Sequence, residues 1–193
     1  RNLRPWRASW PMVDGEPFAS HLPVLYRRDG DSVAVRGHWS RANPQWRHAG
    51  VALLIVGGPQ AYVSPGWYPD KETAARVPTW NYAVVHAHGP LIIHDDRDWL
   101  RDLGSRLTSQ QEAGLPQPWG INDAPADYIE RMLGAIVGIE IPVQRIEGKW
   151  KVSQNRNDRD RAGVADGLAQ LADPQAQAMA GLVSGALANK RPI

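Results

Sequence analysis

Val33 and Val35 stand between polar or small neighbours, and this period of two predicts a half-buried strand over Ser32–Trp39. The mixed apolar and small segment Phe18–Tyr26 predicts a partner strand, with Arg27-Arg28-Asp29-Gly30-Asp31 as the hairpin turn through its Asp-Gly pair. Asn43-Pro44 marks a turn before the apolar run Val51–Val56, a strand that Gly57-Gly58-Pro59 is expected to stop. Gln60–Thr79 carries Pro65, Pro69 and Pro78 and cannot be a central strand. A loop with a short helical turn around Lys71–Arg76 is expected there. Trp80–His94 returns to β-structure as a pair bent at Gly89-Pro90.

The period then lengthens. Trp99, Leu100, Leu103 and Leu107 recur at helical spacing and predict a helix over Arg97–Gln111, with Asp95 or Asp96 as its cap. Pro116–Asn122 reads as loop, and Ala126, Ile129, Met132, Leu133 and Ile136 form the apolar stripe of a second helix, Asp127–Ile136. Ile139–Ile146 predicts a strand, Gly148 a turn and Trp150–Ser153 a short returning strand. Arg159–Leu171 and Gln175–Asn189, parted by Asp173-Pro174, predict two closing helices. The sum is α+β: a single domain over residues 1–193, an antiparallel barrel with helices packed outside and a C-terminal helical extension over about 157–193.

Composition narrows the chemistry. Among 193 residues there is no Cys, which excludes disulfides, thiolate metal sites and Cys nucleophiles, so redox chemistry would need a bound cofactor. Lys+Arg at 22 against Asp+Glu at 20 is too balanced to predict a polyanion-binding protein. No apolar run approaches the ~20 residues that span a bilayer. A soluble, cytoplasmic protein without a membrane partner is expected. Nine Trp and five Tyr against one Phe point to a flat ligand, a large interface or both. Covering barrel ends is the plainer use of any single Trp.

Motifs for dinucleotides and triphosphates are absent, so a bound phosphate would be held by separate side chains. Two segments offer them: His38-Trp39-Ser40-Arg41-Ala42-Asn43, and Lys149-Trp150-Lys151-Val152-Ser153-Gln154-Asn155-Arg156. The second equally suits a basic sheet edge that discourages pairing. Tyr62, Ser64, Trp67 and Tyr68, followed by Lys71, are dense in hydroxyls and aromatic surface around the tight turn Pro65-Gly66. In a strand, Thr79 and Asn81 face one side and Trp80 and Tyr82 the other, an arrangement that suits a planar ring with polar edges. Ordinary core and interface packing accounts for the same aromatics. His86-x-His88 projects two imidazoles together but lacks nearby carboxylate partners, and no metal is expected. Arg156, Arg159 and Arg161 alternate with Asp158 and Asp160, and the closing helices carry few base-reading side chains, so direct DNA recognition is weakly supported by residues.

Four segments together resemble the PaiB-type family of FMN-binding negative transcriptional regulators. They are Ser20-His21-Leu22-Pro23, Gly37-His38 with Ser40–Trp46, Gly58–Tyr68 with Lys71 and Val77–Tyr82, and Glu147–Arg156. The resemblance covers about residues 15–170; Gly66 stands where the family has Ser, and Trp150 and Val152 replace other apolar residues. It implies an antiparallel split β-barrel of the FMN-binding split-barrel type, a homodimer with FMN at the subunit interface, and repression of genes through promoter DNA. It also implies that His38, Arg41, Asn43, Tyr62, Ser64, Trp67, Lys71, Thr79, Trp80 and Asn81 lie near the cofactor. Lys149, Ser153, Gln154 and Arg156 would close the site from the same or the partner chain. A flavin-dependent oxidoreductase acting on a small substrate is the alternative. A haem- or ligand-binding barrel, with His86 or His88 as ligand, is a weaker one; a shared fold does not by itself decide between them.

Overall fold

The computed structural model describes residues 7–9, 12–13, 16–48, 50–70 and 75–188. In chain order the strands are β1 (Arg7–Ser9), β2 (Met12–Val13), β3 (Glu16–Pro17), β4 (Ser20–His21), β5 (Leu25–Asp29), β6 (Ser32–Ser40), β7 (Val51–Val63), β8 (Thr79–Pro90) and β9 (Ile92–His94). After β9 come α1 (Arg97–Glu112), α2 (Ala126–Gly134), β10 (Ile136–Pro142), β11 (Arg145–Lys151), α3 (Asp158–Ala169) and α4 (Pro174–Ala188). The strands form antiparallel sheets in the orders β11-β8-β7-β1-β4, β5-β6-β10-β9 and β2-β3, so the architecture is α+β with four helices. By contacts the described residues divide into two compact units, one holding those of Gly57–Val85 and 148–188, the other those of 7–56 and His86–Glu147. β7 and β8 contribute residues to both.

In the unit built on β5-β6-β10-β9, alternation does the work the sequence pattern predicts. Val35 and Trp39 of β6 and Val137, Ile139 and Ile141 of β10 turn inward, joining Leu22, Ala52, Leu54 and Ala87 in one core. The β5–β6 hairpin closes with Asp29 opposite Ser32, leaving Gly30 at φ +57°, a left-handed conformation that glycine adopts without steric cost. α1 starts where Asp96 accepts a hydrogen bond from the Trp99 N–H at 2.8 Å. Trp99 then lies on Gly138, where a Cβ would collide with its ring, and stacks on His94 at 4.1 Å. Leu100 of α1 and Ile129 and Leu133 of α2 form a smaller core of their own.

In the other unit α3 and α4 pack Val164, Leu168, Met179 and Val183 against Val63, Tyr68 and Val152. A helix interior rarely carries two glycines, yet α3 has Gly163 and Gly167 one turn apart. Together they form a notch for Trp67: a Cβ on Gly167 would sit 2.5 Å from two atoms of the indole, and one on Gly163 would strike the Trp67 carbonyl. Trp67 itself belongs to a 3-10 turn, Pro65–Trp67, at the tight turn expected from Pro65-Gly66.

Several boundaries differ from the sequence pattern. β7 does not stop at Gly57-Gly58-Pro59 but continues to Val63. Gly58 allows close approach to Ala83, and Pro59 lies beyond Val56, the last residue paired with β1, where its missing N–H breaks no bond on that side. The predicted strand Ile139–Ile146 is two strands, because Pro142 lacks the N–H that would continue the ladder. Val143 and Gln144 then donate to the carbonyls of Val33 and His88. Gly148 is not a turn but part of β11, where the Trp150 ring lies against it. Phe18–Tyr26 is likewise interrupted, with Leu22-Pro23-Val24 separating β4 from β5. The helical turn expected around Lys71–Arg76 falls largely outside the described residues.

Candidate functional site

The residues expected at the cofactor fall into two groups, one in each unit. In the unit of β7, β8 and α3, the strands bring together segments some seventy residues apart. Lys151 Nζ donates to Thr79 Oγ1 at 2.7 Å, and Asn81 Nδ2 donates to Ser153 Oγ at 3.0 Å. Lys149 lies 5.7 Å over the Tyr82 ring. The two pairs differ in role. Thr79–Lys151 is exposed and free to meet a ligand, whereas Asn81 and Ser153 are buried and act as a clamp. Ser153 has φ +59°, unusual for a residue with a side chain, and the hydrogen bond from Asn81 helps hold it there.

On the outward positions of the same strands Tyr62 and Trp80 are exposed, and Trp80 Nε1 donates to Gln60 Oε1 at 3.1 Å. Tyr68 is buried, its ring flanked by the guanidinium groups of Arg76 at 5.0 Å and Arg156 at 5.4 Å. Its hydroxyl has no hydrogen-bond partner among the described residues. Arg76 is held by Asp70 and Asp160, and hydrogen bonding from Arg76 keeps the Asp70 carboxyl below the usual range. Ser64 accepts from the Gly66 N–H and Gln154 closes its own turn through Val152 N–H and the Trp150 carbonyl, so both shape loops. Trp67 is packed into α3 rather than presented to solvent. Lys71 lies outside the described residues.

In the other unit Arg41 is saturated. It forms a two-pronged pair with Asp95 and donates to the carbonyls of Gly134 and Ile136 at 2.9 and 3.0 Å. That hydrogen bonding raises the arginine and keeps the Asp95 carboxyl below its ordinary value. A depressed carboxylate stabilises the fold above its unfolded pKa of about 3.9 and ceases to as pH falls through the folded value. Urea unfolding between pH 7 and pH 3 is therefore expected to show an acid loss of stability that is smaller in Asp95→Asn; equal acid limbs would count against the pairing. Asn43 caps the 3-10 turn Pro44–Arg47, accepting from Gln45 N–H at 2.9 Å and donating to Ser20 Oγ at 2.7 Å. Ser20 in turn donates to Gln45. His38 and Asn43 line a cavity of about 630 Å³ together with Ser20, His21 and Ser40. Burial lowers the His38 pKa, which favours neutral imidazole.

The sequence offers Lys151 to a phosphate together with Lys149, with which it shares a strand face, but its partner Thr79 is visible only in the fold. Ser20 and His21 stand in a motif without an assigned contact, and nothing local in the sequence signals the cavity they line. Among the described residues no group of three or more His, Asp or Glu is placed to hold a metal ion, and no helix is long and apolar enough to cross a membrane.

The donor set suits a phosphorylated planar ring. Lys149 and Lys151 offer charge-assisted hydrogen bonds to phosphate and Thr79 a hydroxyl, Tyr62 and Trp80 offer ring faces, and the Tyr68 hydroxyl is buried without a partner among the described residues.

Comparison with known proteins identifies the family and its cofactor. Residues 9–145 match the family described as "Putative FMN-binding domain". Protease synthase and sporulation protein PAI 2 of Bacillus subtilis is 33% identical over 177 residues, which are 90% of this chain and 83% of that one. The uncharacterized protein AN0679 of Emericella nidulans is 29% identical over 206 residues, covering 90% of this chain and 82% of that one. Among solved structures, a "putative 5-nitroimidazole antibiotic resistance protein" from Bacteroides thetaiotaomicron shares the fold at TM-score 0.51 and 10% identity, over 76% of this chain and 77% of that one. With most of its length matched, the chain belongs to the PaiB-type family of FMN-binding proteins, and its cofactor is FMN.

Proposed function

We propose that the chain is an FMN-loaded transcriptional regulator of the PaiB type, a cytoplasmic homodimer of split-barrel subunits that represses genes by engaging promoter DNA. One observation carries the flavin placement: Thr79 and Asn81, from one motif, are hydrogen-bonded to Lys151 and Ser153, from another. Two motifs of the family thus supply one hydroxyl-and-ammonium cluster, with Trp80 exposed at the intervening position of the same strand. In this reading Lys149, Lys151 and Thr79 take the phosphate, and Tyr62 and Trp80 face the ring. Asn81 and Ser153 hold the cluster in place, and Ser64, Trp67 and Gln154 shape the adjoining loops. Lys71 joins the cluster by its place in the motif, and Arg156 supports it from the Tyr68 ring. Arg41, already engaged by Asp95 and two carbonyls, acts as a tie. The regulatory role is supported by the name of the Bacillus subtilis relative, which refers to protease synthesis and sporulation.

A gel-retardation experiment tests it, with promoter fragments of protease genes from the source organism and protein either loaded with or stripped of FMN. The loaded protein is expected to retard a promoter fragment more strongly than unrelated DNA of equal length. No selective retardation in either form, with steady NAD(P)H oxidation by the yellow protein, would make it an oxidoreductase instead.

A further inference from the structure

The outward face of β7, β8 and β11 carries more than aromatic rings. In β7, Gln60 and Tyr62 are exposed while Ala61 and Val63 are buried, and in β8 Trp80 is exposed while Asn81 and Ala83 are buried. A period of two therefore puts Gln60 with Tyr62, and Trp80 with Tyr82, on the side away from the core. The hydrogen bond from Trp80 Nε1 to Gln60 Oε1 at 3.1 Å joins the two pairs. Lys149, over the Tyr82 ring, continues the face onto β11. Gln60 thus shares a face with three aromatic side chains.

The amide of Gln60 has its orientation fixed by its partner. An indole N–H can only donate, so the amide oxygen must be the atom turned to Trp80. The amide nitrogen is left with two N–H groups that have no hydrogen-bond partner among the described residues. Trp80 has spent its single donor in this bond and offers only the faces of its rings. The polar edge of an isoalloxazine ring consists mainly of acceptors, the carbonyl oxygens and the unprotonated ring nitrogens. An uncharged amide N–H can donate to such an oxygen without the desolvation cost of an ammonium group.

We infer that Gln60 is a flavin-binding residue: its oxygen holds the Trp80 indole, and its unpartnered amide nitrogen donates a hydrogen bond to a carbonyl oxygen of the isoalloxazine ring. The inference rests on the placement of that ring at Tyr62 and Trp80. It gives the face a preference for flat rings with a carbonyl at the edge over plain aromatic rings, a distinction that stacking on aromatic side chains does not supply.

Riboflavin binding to protein stripped of FMN, followed by flavin fluorescence, tests this, because a ligand without phosphate reports on the ring alone. Gln60→Leu removes both donor and acceptor and should weaken riboflavin about fivefold, the scale of one net hydrogen bond. Gln60→Glu keeps an acceptor for Trp80 but has no N–H, and should weaken riboflavin at least as much. Gln60 is exposed, so neither change should move the melting temperature appreciably. The infrared carbonyl band of bound FMN gives a second readout, since a hydrogen bond lowers its frequency. It should lie higher in both variants than in the native protein. Native affinity in Gln60→Glu would show that the amide acts on Trp80 alone, and would overturn the inference. Native affinity in Gln60→Leu, or a carbonyl band at one frequency in all three proteins, would overturn it too. Trp80→Ala in the same series tells two failures apart. Weakened riboflavin there, beside unaffected Gln60 variants, removes the role of Gln60 only; unaltered affinity in Trp80→Ala as well removes the ring placement on which it rests.

Discussion

Replacing Gly167 with Leu is expected to lower the thermal midpoint of unfolding by about 6–12 °C, equivalent to roughly 3 kcal/mol in a chain of this size. The residue lies on α3 directly against Trp67, and even a single added carbon would come 2.5 Å from atoms of the indole. The indole cannot simply slide one turn along the helix, because Gly163 meets the Trp67 carbonyl, which is backbone and moves only with the whole turn. α3 would have to withdraw, opening the contact that buries Val164 and Leu168 against Val63 and Tyr68. Circular dichroism melts of Gly167→Leu beside Gly181→Leu check this. Gly181 is also in a helix, but nothing lies within 4 Å of a Cβ placed there. Equal melting temperatures for the two variants would show that the notch around Trp67 is not tight.

Removing both lysines of the exposed cluster, Lys149→Ala with Lys151→Ala, is expected to weaken FMN about a hundredfold. Each ammonium would lose a charge-assisted hydrogen bond to phosphate, worth about 1.5 kcal/mol apiece at the lower end of the usual range. Both side chains are exposed on an edge strand, so their removal should leave the melting temperature nearly unchanged. Thr79→Val, which keeps the shape but deletes the hydroxyl accepting from Lys151, should weaken FMN about tenfold. Riboflavin, lacking the phosphate, provides the discriminating comparison: its affinity should differ little between the double variant and the native protein. An equal loss for riboflavin and FMN would place the lysines at the ring instead.

Much of this arrangement was legible in the sequence because it depends on local pattern. The alternation in Ser32–Trp39 becomes β6, and the helical spacing of Leu100, Leu103 and Leu107 becomes the buried stripe of α1. Asp96 caps that helix as its position indicated. What the pattern could not reveal depends on contacts distant in sequence. Gly57-Gly58-Pro59 has the composition of a terminator, yet it continues a strand because Ala83 needs the space beside Gly58. Asp95 and Arg41 look respectively like a helix cap and a phosphate ligand; fifty-four residues apart in sequence, they satisfy one another. For the site, residue types were readable and their partners were not. Lys151 gains meaning only beside Thr79, and His38 only from the apolar wall that α2 sets against it.

Titration of FMN with the stripped native protein, followed by flavin fluorescence and by the visible absorption spectrum, tests the central claim most directly. The account predicts saturable change at one FMN per chain, together with absorption bands shifted from those of free FMN. Fluorescence and spectrum unchanged from free FMN, in protein shown by circular dichroism to be folded, would contradict it.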